Sequence, residues 1–333
     1  MWPLSGSRPT QCLKIGGHAL TWGESSKTWR GRHRFRCALS PIPSGVVKLS
    51  PIDGNVADRG VLEERIRSLA GPPPRRLRFL GRTLLSGLPR SVTLVLPDLA
   101  VRSTVLQLEQ VPGRREEQEA LIRWRLGQEQ RLPLTSVKLN WQVFAPRHPK
   151  GGVHMVLVIA VQESILAEYE AACEAAGLLP REVTVASFRL FDLWLKAAGG
   201  TRCLNRDLAL VTVADGGLTC LILHDARPVF VRTKFLACDP LTGEDMGTQE
   251  HVTRIVRETE LSILACQEHV PDLHLARLVL MAESDLPGLE DQLGHELSVS
   301  TDQLQWEHVE AVGWAHDGGS TSSAMLPVVA GLI

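Results

Sequence analysis

Two short corners set glycines and polar residues between apolar strands. In "LVTVADGGLTCLILHDARPVFVR", Asp215, Gly216 and Gly217 stand between two apolar runs, and in "CLKIGGHALTWG", Gly16, Gly17 and His18 do the same. An acid with paired glycines between two buried strands marks a place for something polar to dock, and the first corner repeats the device. Each is also what a tight hairpin needs, since glycine and short polar residues tolerate left-handed backbone. His18 reads either as a ligand contact or as a turn residue of this kind.

Other chemical patterns are weaker. Cys266, His269 and His274 have zinc-like spacing, but no fourth ligand accompanies them and "QEHVPDLH" reads as a helix end and loop, so no metal centre is expected. The chain contains no G-x-x-x-x-G-K-[ST], G-x-S-x-G, H-E-x-x-H or G-x-G-x-x-G, which leaves P-loop, hydrolase and Rossmann readings without an anchor. "RGRHRFR" (Arg30 to Arg36) and "RRLRFLGR" (Arg75 to Arg82) are basic patches that face either anionic lipid or plain solvent.

The elements that must position these residues belong to a chain of 333 residues, 44% hydrophobic, with a formal charge of -1. Its length exceeds the roughly 100–200 residues of one domain, so two lobes are expected. The balanced charge gives no global field for nucleic acid. Seven cysteines, at 12, 37, 173, 203, 220, 238 and 266, are odd in number and form no C-x-x-C, which fits a reducing, cytoplasmic setting. The start lacks a signal-peptide pattern, and no apolar run approaches the ~20 residues of a membrane span.

Strand and helix patterns alternate. Leu62, Ile66 and Leu69 mark a helix stopped by Gly71; "SVTLVLPD", "VKLNWQVF" and "HMVLVIAV" read as strands; Glu116 to Gln130 is a charged helix with a stripe at Leu121, Ile122 and Trp124. Ile165, Leu166, Tyr169, Ala172, Cys173 and Ala176 keep helical spacing up to Gly177, as do Val252, Ile255, Val256, Thr259 and Ile263 further on. "LARLVLMA" is a buried strand, Leu286 to Leu297 a helix, and "TSSAMLPVVAGLI" a short apolar helix. The class is α/β, and the repeated strand-corner-strand unit argues for two related lobes.

With these residues in view, the chain resembles the PilM family of type IV pilus assembly proteins, actin-like relatives of FtsA and GspL. The resemblance is carried by "SPIPSGVVKLSPIDGNVAD", "VPGRREEQEALIRWRLGQEQRLPL", "VIAVQESILAEYEAACEAAGLLPREVTVASFRL" and "LVTVADGGLTCLILHDARPVFVRTKFL", with "LPVVAGLI" at the end. It implies a two-lobed actin-like (ribonuclease H-like) fold. The first lobe would span residues 10–200, with a small inserted subdomain at about 89–148, and the second would span 201–333.

The resemblance also implies where ATP and magnesium would sit, and the chain departs from the pattern at each place. The acid of the first corner is replaced by Lys14, which cannot hold magnesium; at the second, acid and glycine fall on Thr212 and Ala214, with Asp215-Gly216-Gly217 following; the third element, normally a glycine pair, is Ala282-Glu283. Gly16, Gly17, His18, Asp215, Gly216, Gly217 and Glu283 are thus the nucleotide-site positions, with no resident cofactor expected. The implied function is a cytoplasmic scaffold of a pilus or type II secretion machine that binds the cytoplasmic tail of a single-pass, PilN-like inner-membrane protein. The alternative is an actin-like ATP-binding protein or ATPase with rearranged phosphate loops. A family-type groove for the tail would border Glu116 to Gln130 and Val137 to Phe144, with Arg123, Trp124, Arg125 and Trp141 as contacts or as subdomain packing; a homo-oligomer stays open.

Overall fold

The computed structural model describes residues 9–29, 31–72, 89–130, 136–146, 152–204, 206–236, 247–318 and 321–333. The basic stretch from Arg75 to Arg82, together with Arg30 and Cys238, lies outside them.

Strands β1 (Gln11–Ile15), β2 (Ala19–Lys27) and β3 (His33–Pro41) form an antiparallel meander, with β4 (Arg90–Leu96) parallel to β1 and β8 (Leu178–Val185) parallel to β4. The sheet order is β14-β3-β2-β1-β4-β8, where β14 (Trp314–His316) is a short parallel edge. In the second sheet β9 (Asp207–Ala214), β10 (Gly217–His224) and β11 (Arg227–Phe235) repeat the meander, β12 (Leu275–Ala282) runs parallel to β9, and β13 (Ser300–Gln303) runs parallel to β12. Its order, β11-β10-β9-β12-β13, matches that of the first sheet from β3 to β8. This is the duplicated α/β arrangement that the repeated corners led one to expect.

Helix α1 (Arg59–Ala70) starts where Asp58 accepts a hydrogen bond from the Val61 N–H at 3.0 Å, and it ends at Gly71 in left-handed backbone. Before it, a loop is latched to α3 (Glu163–Ala175): Glu168 Oε2 accepts the Asn55 and Val56 N–H groups at 2.7 and 2.9 Å, and Asn55 Nδ2 donates to Tyr169 Oη at 3.1 Å. Asn55 and Tyr169 are fully buried. Buried amides of this kind are stable only when satisfied, which explains "DGN" as a structural motif rather than a chemical one.

Two expected boundaries move. The chain falls into one compact unit of residues 1–97, 165–197 and 305–333 and another of 98–164 and 198–304, so 305–333 groups with the first lobe, not the second. The reason is α8 (Leu326–Leu332), buried along its whole length: Gly331 sits so close to β1 that a β-carbon there would lie 2.6 Å from Cys12 Sγ. Each buried Leu or Val of α8 stabilises this packing by roughly 1.5–3 kcal/mol.

The insertion, secondly, runs from Asp98 to Ser164 rather than from 89 to 148. It holds β5 (Arg102–Leu108), α2 (Arg115–Gln130), β6 (Val137–Phe144) and β7 (His154–Gln162), with sheet order β5-β7-β6. In contacts it groups with the second unit, where β11 packs on β5 and β7. Strand β4 is buried on both faces and belongs to the first sheet, while β7 buries one face under α2. Both segments are apolar in sequence, so hydropathy alone could not separate them.

Candidate functional site

The first corner closes with the Gly16 N–H donating to Ala19 O at 3.0 Å, and His18 O accepts from the Ile42 N–H at 2.9 Å. Gly16 and Gly17 are buried and His18 is exposed. None of the three has left-handed backbone, so this is not a primed hairpin turn. The β-carbon direction of Gly17 meets Leu49 Cδ1 at 3.4 Å. Lys14, standing where a magnesium-binding acid was sought, is 3% exposed and opposite Thr21. It lies two residues from Cys12 on the same face of β1, the face that α8 covers.

The second corner differs in kind. Asp215 has φ 53° and Gly216 φ 73°, so both central residues are left-handed, as a type I′ hairpin demands. Asp215 supplies this backbone at low cost because its short polar side chain tolerates it. The Asp215 N–H donates to Glu283 Oε2 at 3.0 Å, and the Glu283 N–H in turn donates to Val213 O at 3.0 Å, extending the β12–β9 ladder. The chain's own carboxylate thus satisfies this N–H. A β-carbon at Gly217 would lie 2.9 Å from Leu99 Cδ1 and Cγ, so this glycine is required by packing. Thr212 is 1% exposed, and its hydroxyl has no hydrogen-bond partner among the described residues.

The fold therefore brings Asp215, Gly216, Gly217 and Glu283 into one corner and places Gly16, Gly17 and His18 in the other unit. Two carboxylates at the second corner repel a polyphosphate where no cation stands between them. Reading the sequence as three separate elements missed the bond from Glu283 to Asp215. Nothing in the sequence around Glu283 signals it.

The residues assigned to a partner occupy different environments. Arg123 is tied down, donating to Glu119 Oε1 at 3.0 and 2.8 Å and to Val137 O at 2.9 Å, which clamps α2 to β6. Trp141 is 8% exposed in the core beneath α2; its Nε1 donates to Gln118 Oε1 at 3.0 Å, and the Arg115 guanidinium lies 4.3 Å from its ring centroid. Arg125 is half-buried. Trp124 is 58% exposed, outside the stripe expected for it: Ile122 and Leu126 face the sheet, and Trp124, two residues from each, points away. Gln118, which orients Trp141, was not singled out in the sequence.

The zinc-like spacing is dispersed. Cys266 is in the core of the second sheet, where burial pushes its thiol up to about 12; His269 Nδ1 lies 3.0 Å from Ala265 O; and the His274 N–H donates to Asp207 Oδ2 at 2.8 Å. Among the described residues no group of three or more His, Cys, Asp or Glu side chains is placed to hold a metal ion. Nor is any described helix long and apolar enough to cross a membrane.

No family model matches this chain, and no curated protein does. Solved structures do. A structure described as the "PilM-PilN type IV pilus biogenesis complex" superposes with a TM-score of 0.69 at 20% identity, covering 94% of this chain and 91% of that one. A Bacteroides thetaiotaomicron protein with an actin-like ATPase fold gives 0.48 at 10% identity, covering 94% and 98%. The cytoplasmic domain of EpsL, from the type II secretion system of Vibrio cholerae, gives 0.45 at 13%, covering 95% and 92%. The first of these shares this chain's fold.

Proposed function

We propose that this chain is a cytoplasmic, actin-like scaffold of a type IV pilus or type II secretion assembly machine. It binds the cytoplasmic tail of a PilN-like inner-membrane protein and hydrolyses ATP inefficiently or not at all. The observation that carries the reading is the near full-length fold shared with the PilM–PilN structure. The corners supply its chemistry: Lys14 and Thr212 stand where acids would anchor magnesium, and with those acids goes most of the charge neutralisation that a triphosphate requires.

A preformed surface and a flexible tail suit each other, since only the tail then loses conformational freedom. On α2 the exposed large hydrophobic among the described residues is Trp124, and exposed aromatics of this type serve as interface anchors. The test is capture of a candidate tail peptide by the full chain and by Trp124→Ala, with calorimetry for MgATP alongside. Capture by the wild type, weakened roughly tenfold or more in the variant, and no magnesium-dependent heat are expected. Micromolar MgATP binding abolished by Asp215→Ala would instead favour the ATP-binding alternative. Arg123→Glu is a poor probe, because it would also break the α2–β6 clamp.

A further inference from the structure

The β2–β3 hairpin ends in a turn fixed by its backbone and one threonine. The Gly31 N–H donates to Thr28 O at 2.8 Å, the Thr28 N–H to Arg32 O at 2.9 Å, and the Arg32 N–H to Thr28 Oγ1 at 3.1 Å. The tip side chain is not needed for any of these bonds. It is Trp29, 88% exposed. A lone exposed apolar residue requires no explanation, but the charge around this one does.

From Glu24 to Arg36 the sequence has five bases, Lys27, Arg30, Arg32, Arg34 and Arg36, against one acid, Glu24, a net of +4. With the whole chain at -1, everything else sums to -5. Arg34 and Arg36 lean on Asp317, at 3.0 and 3.9 Å, yet both stay exposed. Lys27 and Arg32, nearest the tip, are exposed too, and among the described residues neither has an ion-pair partner.

We infer that this hairpin is a membrane-surface contact: Trp29 enters the interface of an anionic bilayer while Lys27, Arg32, Arg34 and Arg36 meet lipid phosphates. Dimensions agree. At about 3.3 Å per residue, Lys27 and Arg32 lie within roughly 10 Å of the tip along the chain. The headgroup layer of one leaflet is about 5–8 Å thick, so an indole at the acyl boundary puts both cations at phosphate depth. Tryptophan prefers that boundary because one end is apolar and the other donates a hydrogen bond. A nucleic acid fits less well, for a single aromatic on a narrow tip gives no platform for successive bases, and the acidic remainder of the chain repels a polyanion lying alongside it. This inference goes beyond tail capture and does not depend on it.

The experiment is co-sedimentation of the full chain, without any tail peptide, with vesicles of phosphatidylcholine alone or mixed with phosphatidylglycerol. Binding only to the mixed vesicles is expected, falling as salt rises. Lys27→Gln and Arg32→Gln should each weaken it roughly fivefold. Trp29→Ala should weaken it about tenfold or more, and Trp29→Phe less. Circular dichroism checks that each variant folds, as the backbone bonding of the turn requires. No sedimentation, equal binding to phosphatidylcholine alone, or binding indifferent to all these variants would overturn the inference. So would capture of a polyuridine RNA that these variants abolish while vesicles go unbound. Because no tail is present, either result leaves the scaffold reading to its own assay.

Discussion

The first and second sheets run the same strand order and turn their leading corners in different ways. Register makes the positions equivalent: Lys14 opposes Thr21 and Val95, as Thr212 opposes Thr219 and Met281. Counting two residues on, Glu283 in the second sheet corresponds to Pro97 in the first. A proline at that place has no side chain to accept an N–H, so only the second corner is capped by an acid from the neighbouring strand. The glycines also differ in duty, Gly17 touching Leu49 at ordinary distance and Gly217 lying hard against Leu99. Duplicated topology thus fixes where a corner stands, and local side chains fix what it can bind.

The comparison can be strained first by alkali. Cys12 and Cys220 are fully buried, one in each sheet, and burial pushes Cys220 up to about 12 and Cys12 still further above its ordinary value. A raised thiol favours the folded state fully below pH of about 9; as pH climbs toward 12, the unfolded chain sheds protons that the folded one keeps, and stability falls. The slope is about 1.4 kcal/mol per pH unit for each such thiol. Melting temperatures measured across this range should decline above pH of about 9, and Cys12→Ala and Cys220→Ala should flatten the decline equally. Flattening by one variant alone would mean that the sheets are not equally dry.

Glycine replacement should separate the corners next. Gly217→Ala forces Leu99 aside and should cost roughly 1–3 kcal/mol in urea unfolding, whereas Gly17→Ala, with room for its methyl group, should stay within about 0.5 kcal/mol. Equal costs would refute the assignment of different duties. A smaller effect concerns the acid. Glu283→Ala deprives the Asp215 N–H of its acceptor and should cost about 1 kcal/mol, Glu283→Gln less, because an amide oxygen still accepts. Neither should gain magnesium-dependent ATP binding in calorimetry. A gain in Glu283→Ala would make that carboxylate the sole block.

Much of the local structure was legible because it depends on neighbours in sequence. Helix α1 stops at Gly71 and α3 gives way to Gly177, both left-handed, and the apolar faces of α3 and of Thr248–Gln267 follow the helical period. The two corners stood out from their glycines, and the substitutions Lys14, Thr212 and Glu283 were visible as residue types. What those residues touch was not visible. The Glu283 carboxylate reaches an N–H 68 positions away, Leu99 at the start of the insertion covers a glycine far along the chain, and α8 at the end of the chain packs on β1 at its beginning. The exposed tryptophan of α2 and the buried one of β6 are the same residue type, and what separates them is which face of each element is covered. Periodicity encodes which faces of an element are apolar, a short-range property of the chain; which face meets which partner is settled by long-range packing, where close fit and satisfied polar groups select one arrangement.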